Sequence, residues 1–480
     1  MRVLLDTNIL IGREDPKLPP EGLPDLLRLL SQNGVVLLVH PASVRELESD
    51  PNVERRELIL AKTRSYAELE QPQSPPQQFV IAVGGSGRPN DLTDAVMLYA
   101  VKRDAVSFLL TEDRQLLHRA ARVGIQDRTL TIEGALEYFS GLFAREIPSS
   151  PLTLKLSAVH ALDLDDPFFD SIKQDYPGFE AWFRRIAREG RQCIWLAAQD
   201  NGVGALLIYK DETEPLIDRP AKRRLKICTL KVGATLSRQR VSELLLSWAF
   251  QYGNQNSFSE TYLTIFPRFE LQISILETLG FSDVGGKAEE RVLLKKLTYE
   301  NGKPPAADQF FKTYFPSFRQ DAEVRKFLIP VQPTWHTRLF PEYYPHRIQT
   351  VFEDFSGAAP AGNAIRKAYL CHSRITRIRP GDIVLFYRSQ DVRLVTHLGL
   401  VEQAVVCQAL EQVIQTAGNR TVLPIRELET LCQKPVLVVL FWSAGAACRS
   451  RPRGSAVTGV VPVPQSIVEL DEQEYRRLCT

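Results

Sequence analysis

Three short apolar runs near the start, each handing over to an acidic residue or a helix start, constrain this chain more than any other feature. Val3-Leu4-Leu5 leads directly into Asp6. Runs this short, without polar alternation, read as strands buried on both faces, and such strands belong in parallel sheets. Val35 to Val39 is the second run. His40-Pro41-Ala42-Ser43 then leads into a helix carrying Glu46, with Ser43 the expected N-cap. Asp91 or Asp94 opens a helix through Val101, Ala105 to Leu110 forms the next strand, and Asp113 lies just beyond it. In an open parallel sheet, sites form outside the carboxyl ends of the strands. Asp6 and Asp113 therefore share an edge, and the helices are expected to deliver Glu46 and Asp94 to the same crevice.

Gathered carboxylates repel, and each is driven towards protonation unless a cation balances them. Oxygen ligands with no cysteine nearby select Mg²⁺ or Mn²⁺ over zinc. Such ions lower the pKa of a bound water and neutralise a leaving oxygen, so metal-assisted phosphodiester cleavage is the leading reading. Asp6, Asp94 and Asp113, joined by Asp91, are the expected metal ligands. Glu46 is expected to hold a metal or a metal-bound water, while Thr7, Asn8 and Thr111 orient the ligands. The competing reading makes Asp6, Ser43 and Asp91 ordinary caps at strand-to-helix turns. Asp91 and Asp94 stand three residues apart and share a helix face.

Leu4-Leu5-Asp6-Thr7-Asn8-Ile9-Leu10, Glu46-Leu47, Asp94 with its Ala-rich helix, and Leu110-Thr111-Glu112-Asp113-Arg114 resemble a PIN domain across about 1–140. This is the fold of many RNA endonucleases and of bacterial VapC-type toxins. The resemblance implies Mg²⁺- or Mn²⁺-dependent hydrolysis of RNA, with Asp6, Glu46, Asp94 and Asp113 as the catalytic acids. It does not identify the RNA.

With 480 residues, three domains of ordinary size are expected. Breaks at Ile147-Pro148-Ser149-Ser150-Pro151 and at Tyr299 to Pro305 give blocks of 1–146, 151–299 and 306–480. No run approaches the ~20 apolar residues of a membrane span. The charged start excludes a signal peptide, and seven scattered cysteines without a C-x-x-C pair suit a reducing cytoplasm. The net charge of +2 says nothing by itself about nucleic acid.

In the second block, Cys193 to Gln199 and Val203 to Tyr209 flank Asp200-Asn201-Gly202, a hairpin signal. Further strands are expected at Leu225–Val232, Thr261–Phe266 and Arg291–Leu297, with a helix from Val241. That order and the Leu279-Gly280-Phe281 ending resemble the GNAT acyltransferase fold across about 155–298. The resemblance implies an acyl-CoA site reached from Leu230 and Val232, with the pyrophosphate cradled at the helix start by Arg238, Arg240 and Ser242. Arg240 and Ser242 stand where the family's glycines are expected, and Leu276 where many relatives place a tyrosine general acid. Both departures put acetyl-CoA binding and transfer in doubt, and a degenerate packing module is an equal reading.

In the third block, Arg377-Ile378-Arg379-Pro380-Gly381-Asp382 feeds the strand Ile383 to Tyr387. It resembles the small ASCH/PUA-like β-barrel across about 325–450, a group that often binds RNA. Arg366, Lys367, Arg374, Arg377 and Arg379, with Tyr369, Phe386 and Tyr387 nearby, are the expected nucleic-acid contacts, against a reading as a solvated basic face.

The whole reads as a cytoplasmic α/β multidomain protein: a PIN-like parallel sheet, a GNAT-like α+β domain and a PUA/ASCH-like barrel. Its expected function is metal-dependent RNA cleavage, with tRNA among the candidate substrates. A toxin or defence role by resemblance brings a protein inhibitor as partner; the oligomeric state is left open. The first rival is N-acetylation of tRNA or protein amines with a regulatory front domain. The second is a non-enzymatic nucleic-acid adaptor.

Overall fold

The computed structural model describes residues 1–14, 20–49, 52–85, 89–144, 154–198, 202–341, 360–391, 393–446 and 464–479. The expected break at Ile147–Pro151 and the turn Asp200-Asn201 lie outside them. Three sheets follow one another along the chain.

The first contains β1 (Arg2–Leu5), β2 (Val36–Val39), β3 (Ala67–Glu68), β4 (Phe108–Leu110) and β5 (Thr129–Leu130), in the order β3-β2-β1-β4-β5. Every registered pair is parallel. Val3, Leu4 and Leu5 are fully enclosed because helices cover both faces, which is why the run carries no polar alternation. The strand order reverses at β1, so the crevice at its carboxyl end opens beside Asp6.

The second sheet is mixed: β6 (Lys155–Ala158), β7 (Gln192–Ala197), β8 (Val203–Glu212), β9 (Arg224–Val232), β10 (Glu260–Ile265), β11 (Ser282–Lys287) and β12 (Glu290–Lys296), ordered β11-β12-β10-β9-β8-β7-β6. Only β9 and β10 run parallel, and their registered pairs end at Ile227↔Leu263 while β9 continues to Val232. The third sheet contains β13 (Lys326–Val331), β14 (Arg366–Cys371), β15 (Ile383–Arg388), β16 (Leu394–Cys407), β17 (Val436–Ala446) and β18 (Val468–Leu470), ordered β14-β17-β16-β15-β13-β18. Its outermost strands do not pair with each other among the described residues, so the expected barrel is here an open mixed sheet.

Apolar packing does not respect the three blocks. Leu5, Leu110, Leu136 and Phe139 of the first share a core with Leu370, Val413 and Val438 of the third. Phe250 and Leu293 of the second share another with Phe315, Leu385 and Trp442. Phe315 stands 5.2 Å, ring to ring, from Trp442 and 6.2 Å from Phe250, an aromatic relay across the junction. Among the described residues no helix is long and apolar enough to cross a membrane.

Candidate functional site

At the carboxyl edge of the first sheet, the Asp6 N–H donates to the Leu110 carbonyl (3.0 Å), tying the ends of β1 and β4 together. The Asp6 carboxylate accepts from the Thr7 N–H (2.6 Å), the Asn8 amide (2.6 Å) and the Thr111 hydroxyl (2.6 Å). The Thr7 hydroxyl donates to Glu46 (3.2 Å), so one hydrogen-bonded chain runs from Glu46 through Thr7 and Asp6 to Thr111. Asp113 follows, its N–H donating to the Thr111 hydroxyl (2.9 Å) and its carboxylate capping the helix Arg114–Arg122 through the Gln115 and Leu116 N–H groups. Asp113, which the sequence does not single out as a cap, is thus the N-cap of that helix.

Burial, opposed by the Thr111 and Thr7 bonds and assisted by the charges of Asp113 and Glu46, pushes the Asp6 carboxyl up to about 6. Burial first, with Asp113, Asp6 and Asp91 behind it, pushes Asp94 up to about 7 against the pull of Arg119. Asp6 therefore lies within electrostatic reach of Glu46, Asp113 and Asp94, and Asp94 within reach of Asp91 and Asp113.

Two expectations are corrected here. Arg119 donates to Asp94 (2.6 Å) and to Asp91 (2.5 Å), from a helix that brings a fixed positive charge to this pair. Asp91 and Asp94 are both engaged by one guanidinium, which offsets one of their two charges, so neither is a free metal ligand. Among the described residues, no three acidic, histidine or cysteine side chains converge into a ready cation cage. The remaining donors fit a hard cation in kind, since Asp6, Glu46 and Asp113 are all oxygen ligands and no thiolate or imidazole joins them. The second correction concerns the helix Pro41–Glu48. Its N-cap is His40, whose Nδ1 accepts from the Ala42 N–H (3.0 Å), with Pro41 in the first turn. Ser43 is buried beneath it against Met97.

In the second sheet, Leu230 and Val232 lie on the stretch of β9 beyond its last pair with β10, both partly buried. Ser242 is partly buried in the first turn of the helix Val241–Gln255, and the Arg238 side chain lies outside the described residues. Arg240 stands before that helix at φ +51°, a left-handed conformation that glycine adopts freely. Its guanidinium turns away from solvent to Glu243 (2.8 Å) and to the Asn419 carbonyl (3.2 Å). Asn363 donates to the Gln239 carbonyl (2.7 Å), and the Ile365 N–H donates to Glu243 (2.9 Å). Arg240 therefore anchors the third block onto the helix start, contrary to the expected phosphate contact. Leu276 is a buried core residue of the helix Glu270–Thr278.

The expected basic face of the third block divides in two. Arg366 is buried between Asp127 (3.2 Å) and Glu402 (3.0 Å), and Lys367 is buried with its ammonium on the Leu339 carbonyl (2.6 Å). Neither can meet nucleic acid: Arg366 faces the first block through Asp127, and Lys367, on the opposite face of β14, is enclosed by Leu339 and Phe340 of the third block itself. Arg374, Arg377 and Arg379 are exposed, with Arg377 paired to Glu469 at 2.9 Å.

No protein-family model matches the chain, and no curated protein is similar in sequence. Solved structures of two kinds resemble parts of it. An ASCH protein of Zymomonas mobilis is 12% identical and covers 32% of this chain and 92% of its own, with a TM-score of 0.24. A GNAT-family acetyltransferase of Listeria monocytogenes is 13% identical over 30% of this chain and 95% of its own, with a TM-score of 0.25. The PaiA N-acetyltransferase of Thermoplasma acidophilum, solved with coenzyme A, is 13% identical over 30% and 99%, with a TM-score of 0.23. Likeness at this level carries nothing about activity. Any reading of the first sheet rests on its own geometry.

Proposed function

We propose that the first sheet carries a phosphodiester-cleaving centre acting on RNA, with Asp6 at its middle. One observation carries this reading: at the end of the central strand a buried carboxylate, its two oxygens fixed by Thr7, Asn8 and Thr111, is tied through Thr7 to Glu46 and through Thr111 to Asp113, and burial with those two acids raises its pKa. Uncompensated negative charge in a crevice is what a divalent cation relieves. Asp6, Glu46 and Asp113 are the residues that would hold Mg²⁺ or Mn²⁺, which when bound supplies an activated water and a counter-charge for the leaving oxygen. The chain's own part is orientation. The Thr7 N–H, Asn8 and Thr111 fix both Asp6 oxygens, and Thr7 ties Glu46 to the same frame. Arg119 holds Asp91 and Asp94 beside it. The test is incubation of single-stranded RNA with the full chain and Mn²⁺ or a chelator; RNA left intact in both would end the reading. A protein inhibitor and a tRNA substrate belong to the same proposal.

A second reading, acyl transfer from acetyl-CoA in the middle sheet, is favoured by a different observation. From Cys228 to Val232 the edge of β9 facing β10 has no registered strand partner, so its backbone groups can pair with an extended amide-bearing chain. Arg240 opposes it by filling the helix start with a side chain already committed to Glu243. On this reading acetyl-CoA binds with a Kd below about 1 mM, and Arg240→Gly tightens binding by freeing the helix N–H groups. Calorimetric titration that yields no heat with either protein leaves the sheet as a scaffold.

A further inference from the structure

The first and second blocks meet at the acidic edge. Arg114 immediately follows the cap Asp113, and its guanidinium donates to the Arg268 carbonyl (2.7 Å) in the turn that follows β10. Helix Glu270–Thr278 packs along helix Arg114–Arg122, with His118 3.4 Å from Glu277. Between them the turn 266–269, closed by the Phe269 N–H on the Phe266 carbonyl (3.0 Å), is held beside the crevice. Its composition is unusual for a mere connector. The Arg268 guanidinium lies 4.9 Å from the Phe266 ring and 5.1 Å from the Phe269 ring, and it is 56% exposed. Both rings are partly exposed and Arg114 is exposed. The pairing of Arg268 with Asp175 (2.7 Å) is between solvent-exposed side chains, so a phosphate can compete for it at little cost.

We infer that Phe266, Arg268 and Phe269, together with Arg114, form a ledge that grips single-stranded RNA and leads it to the Asp6 crevice. This inference rests on the nuclease reading and adds its substrate-gripping surface, supplied by the neighbouring module. The exposed Arg268 guanidinium plane, backed by the two rings, offers a stacking surface that any unpaired base can use, while bases inside a duplex are already stacked. Two arginines beside the rings supply backbone charge where the crevice itself repels phosphate. A protein ligand would need an apolar floor, whereas this ledge is two rings overlaid by the Arg268 guanidinium.

The experiment measures fluorescence anisotropy of labelled oligouridine of about 12 nucleotides, and of a duplex RNA of equal length, in chelator. The full chain carries Asp6→Asn so that RNA survives. Adding Arg268→Gln is expected to weaken oligouridine binding about tenfold and to lower its salt dependence by about one ion. Phe266→Ala is expected to weaken it at least as much, with the duplex little affected. Unchanged oligouridine binding by the Arg268→Gln protein, or duplex binding as tight and as sensitive, overturns the ledge. Because the Arg268 side chain is exposed, this arm stands even if Phe266→Ala, which removes packing against Tyr176, unfolds the turn. The two readings fail separately. Asp6-dependent cleavage with binding untouched by Arg268→Gln sinks the ledge alone. Binding that responds to Arg268→Gln, with no cleavage under any cation, sinks the nuclease and leaves an RNA-gripping surface.

Discussion

Asp6→Asn is expected to abolish Mn²⁺-dependent RNA cleavage, by about a hundredfold or more, while the protein stays folded. An amide has the carboxylate's shape, so one oxygen still accepts the Thr7 N–H that opens the helix Thr7–Glu14. It has no charge, so the crevice loses the group at its centre. Stability gives an independent readout with a defined sign. A carboxyl raised from 3.8 to about 6 binds its proton more tightly folded than unfolded. The associated stability is complete below about pH 4 and is lost as pH rises through 6. Two pKa units correspond to about 3 kcal/mol lost by the wild type above pH 7. Asparagine escapes that loss but turns an NH2 group towards the Asn8 amide and the Thr111 hydroxyl, which both donate to one Asp6 oxygen, at about 1 kcal/mol for each bond lost. The variant should therefore melt higher than wild type at pH 7.5 without cation, and the advantage should disappear by pH 4. Added Mn²⁺ should raise the wild-type melting temperature and leave the variant unmoved. A variant that cleaves like wild type, or one whose melting difference ignores pH, removes Asp6 from the centre of the site.

The acidic edge was legible because parallel-sheet geometry puts every strand end on one side, so sequence order alone places Asp6, Asp113, Glu46 and Asp94 together. What the sequence did not disclose was who else arrives. Arg119 sits on an amphipathic helix and looks like one more surface cation, yet the helix returns it to residues 25 and 28 positions earlier. Ser43 has the composition of a cap, but Pro41 starts the helix earlier and hands the role to His40. Arg366 and Lys367 begin a strand next to Tyr369 and read as an exposed face. Their burial depends on contacts with partners as distant as Asp127, 239 residues away, which no local pattern reports. The Pro380-Gly381-Asp382 turn and the strand after it follow from local residue types, although Asp382 is also held by Arg325. Arg240 lies between these cases: its departure from glycine was visible, and its inward turn to Glu243 was not.

Asp127→Ala is expected to cost about 4 kcal/mol, and to destabilise all three blocks together. Asp127 lies in the turn before β5 and belongs to the first block, while Arg366, Glu402 and Arg420 belong to the third. Arg366 contacts Asp127 at 3.2 Å and Glu402 at 3.0 Å; Arg420 contacts Glu402 at 2.7 Å and also pairs with Asp127. The Trp442 indole donates to Glu402 at 3.3 Å, which joins this ring to the aromatic relay reaching Phe250. Two acids balance two guanidiniums, and both guanidiniums are buried. Removing Asp127 leaves one positive charge in excess on two buried guanidiniums in the wall of a cavity between the first and third blocks, where Glu402 alone does not balance both. Replacing Arg420 by methionine in the same protein should return most of the loss, since an uncharged pair of similar bulk needs no counter-ion. Because the cores run continuously between blocks, urea unfolding followed by tryptophan fluorescence and by far-ultraviolet circular dichroism should give one coincident transition, shifted as a whole by Asp127→Ala. Separate transitions, with only one moved, would mean that the junction is a contact between independently stable domains, and the ledge beside Asp113 would then lose the rigid placement it needs.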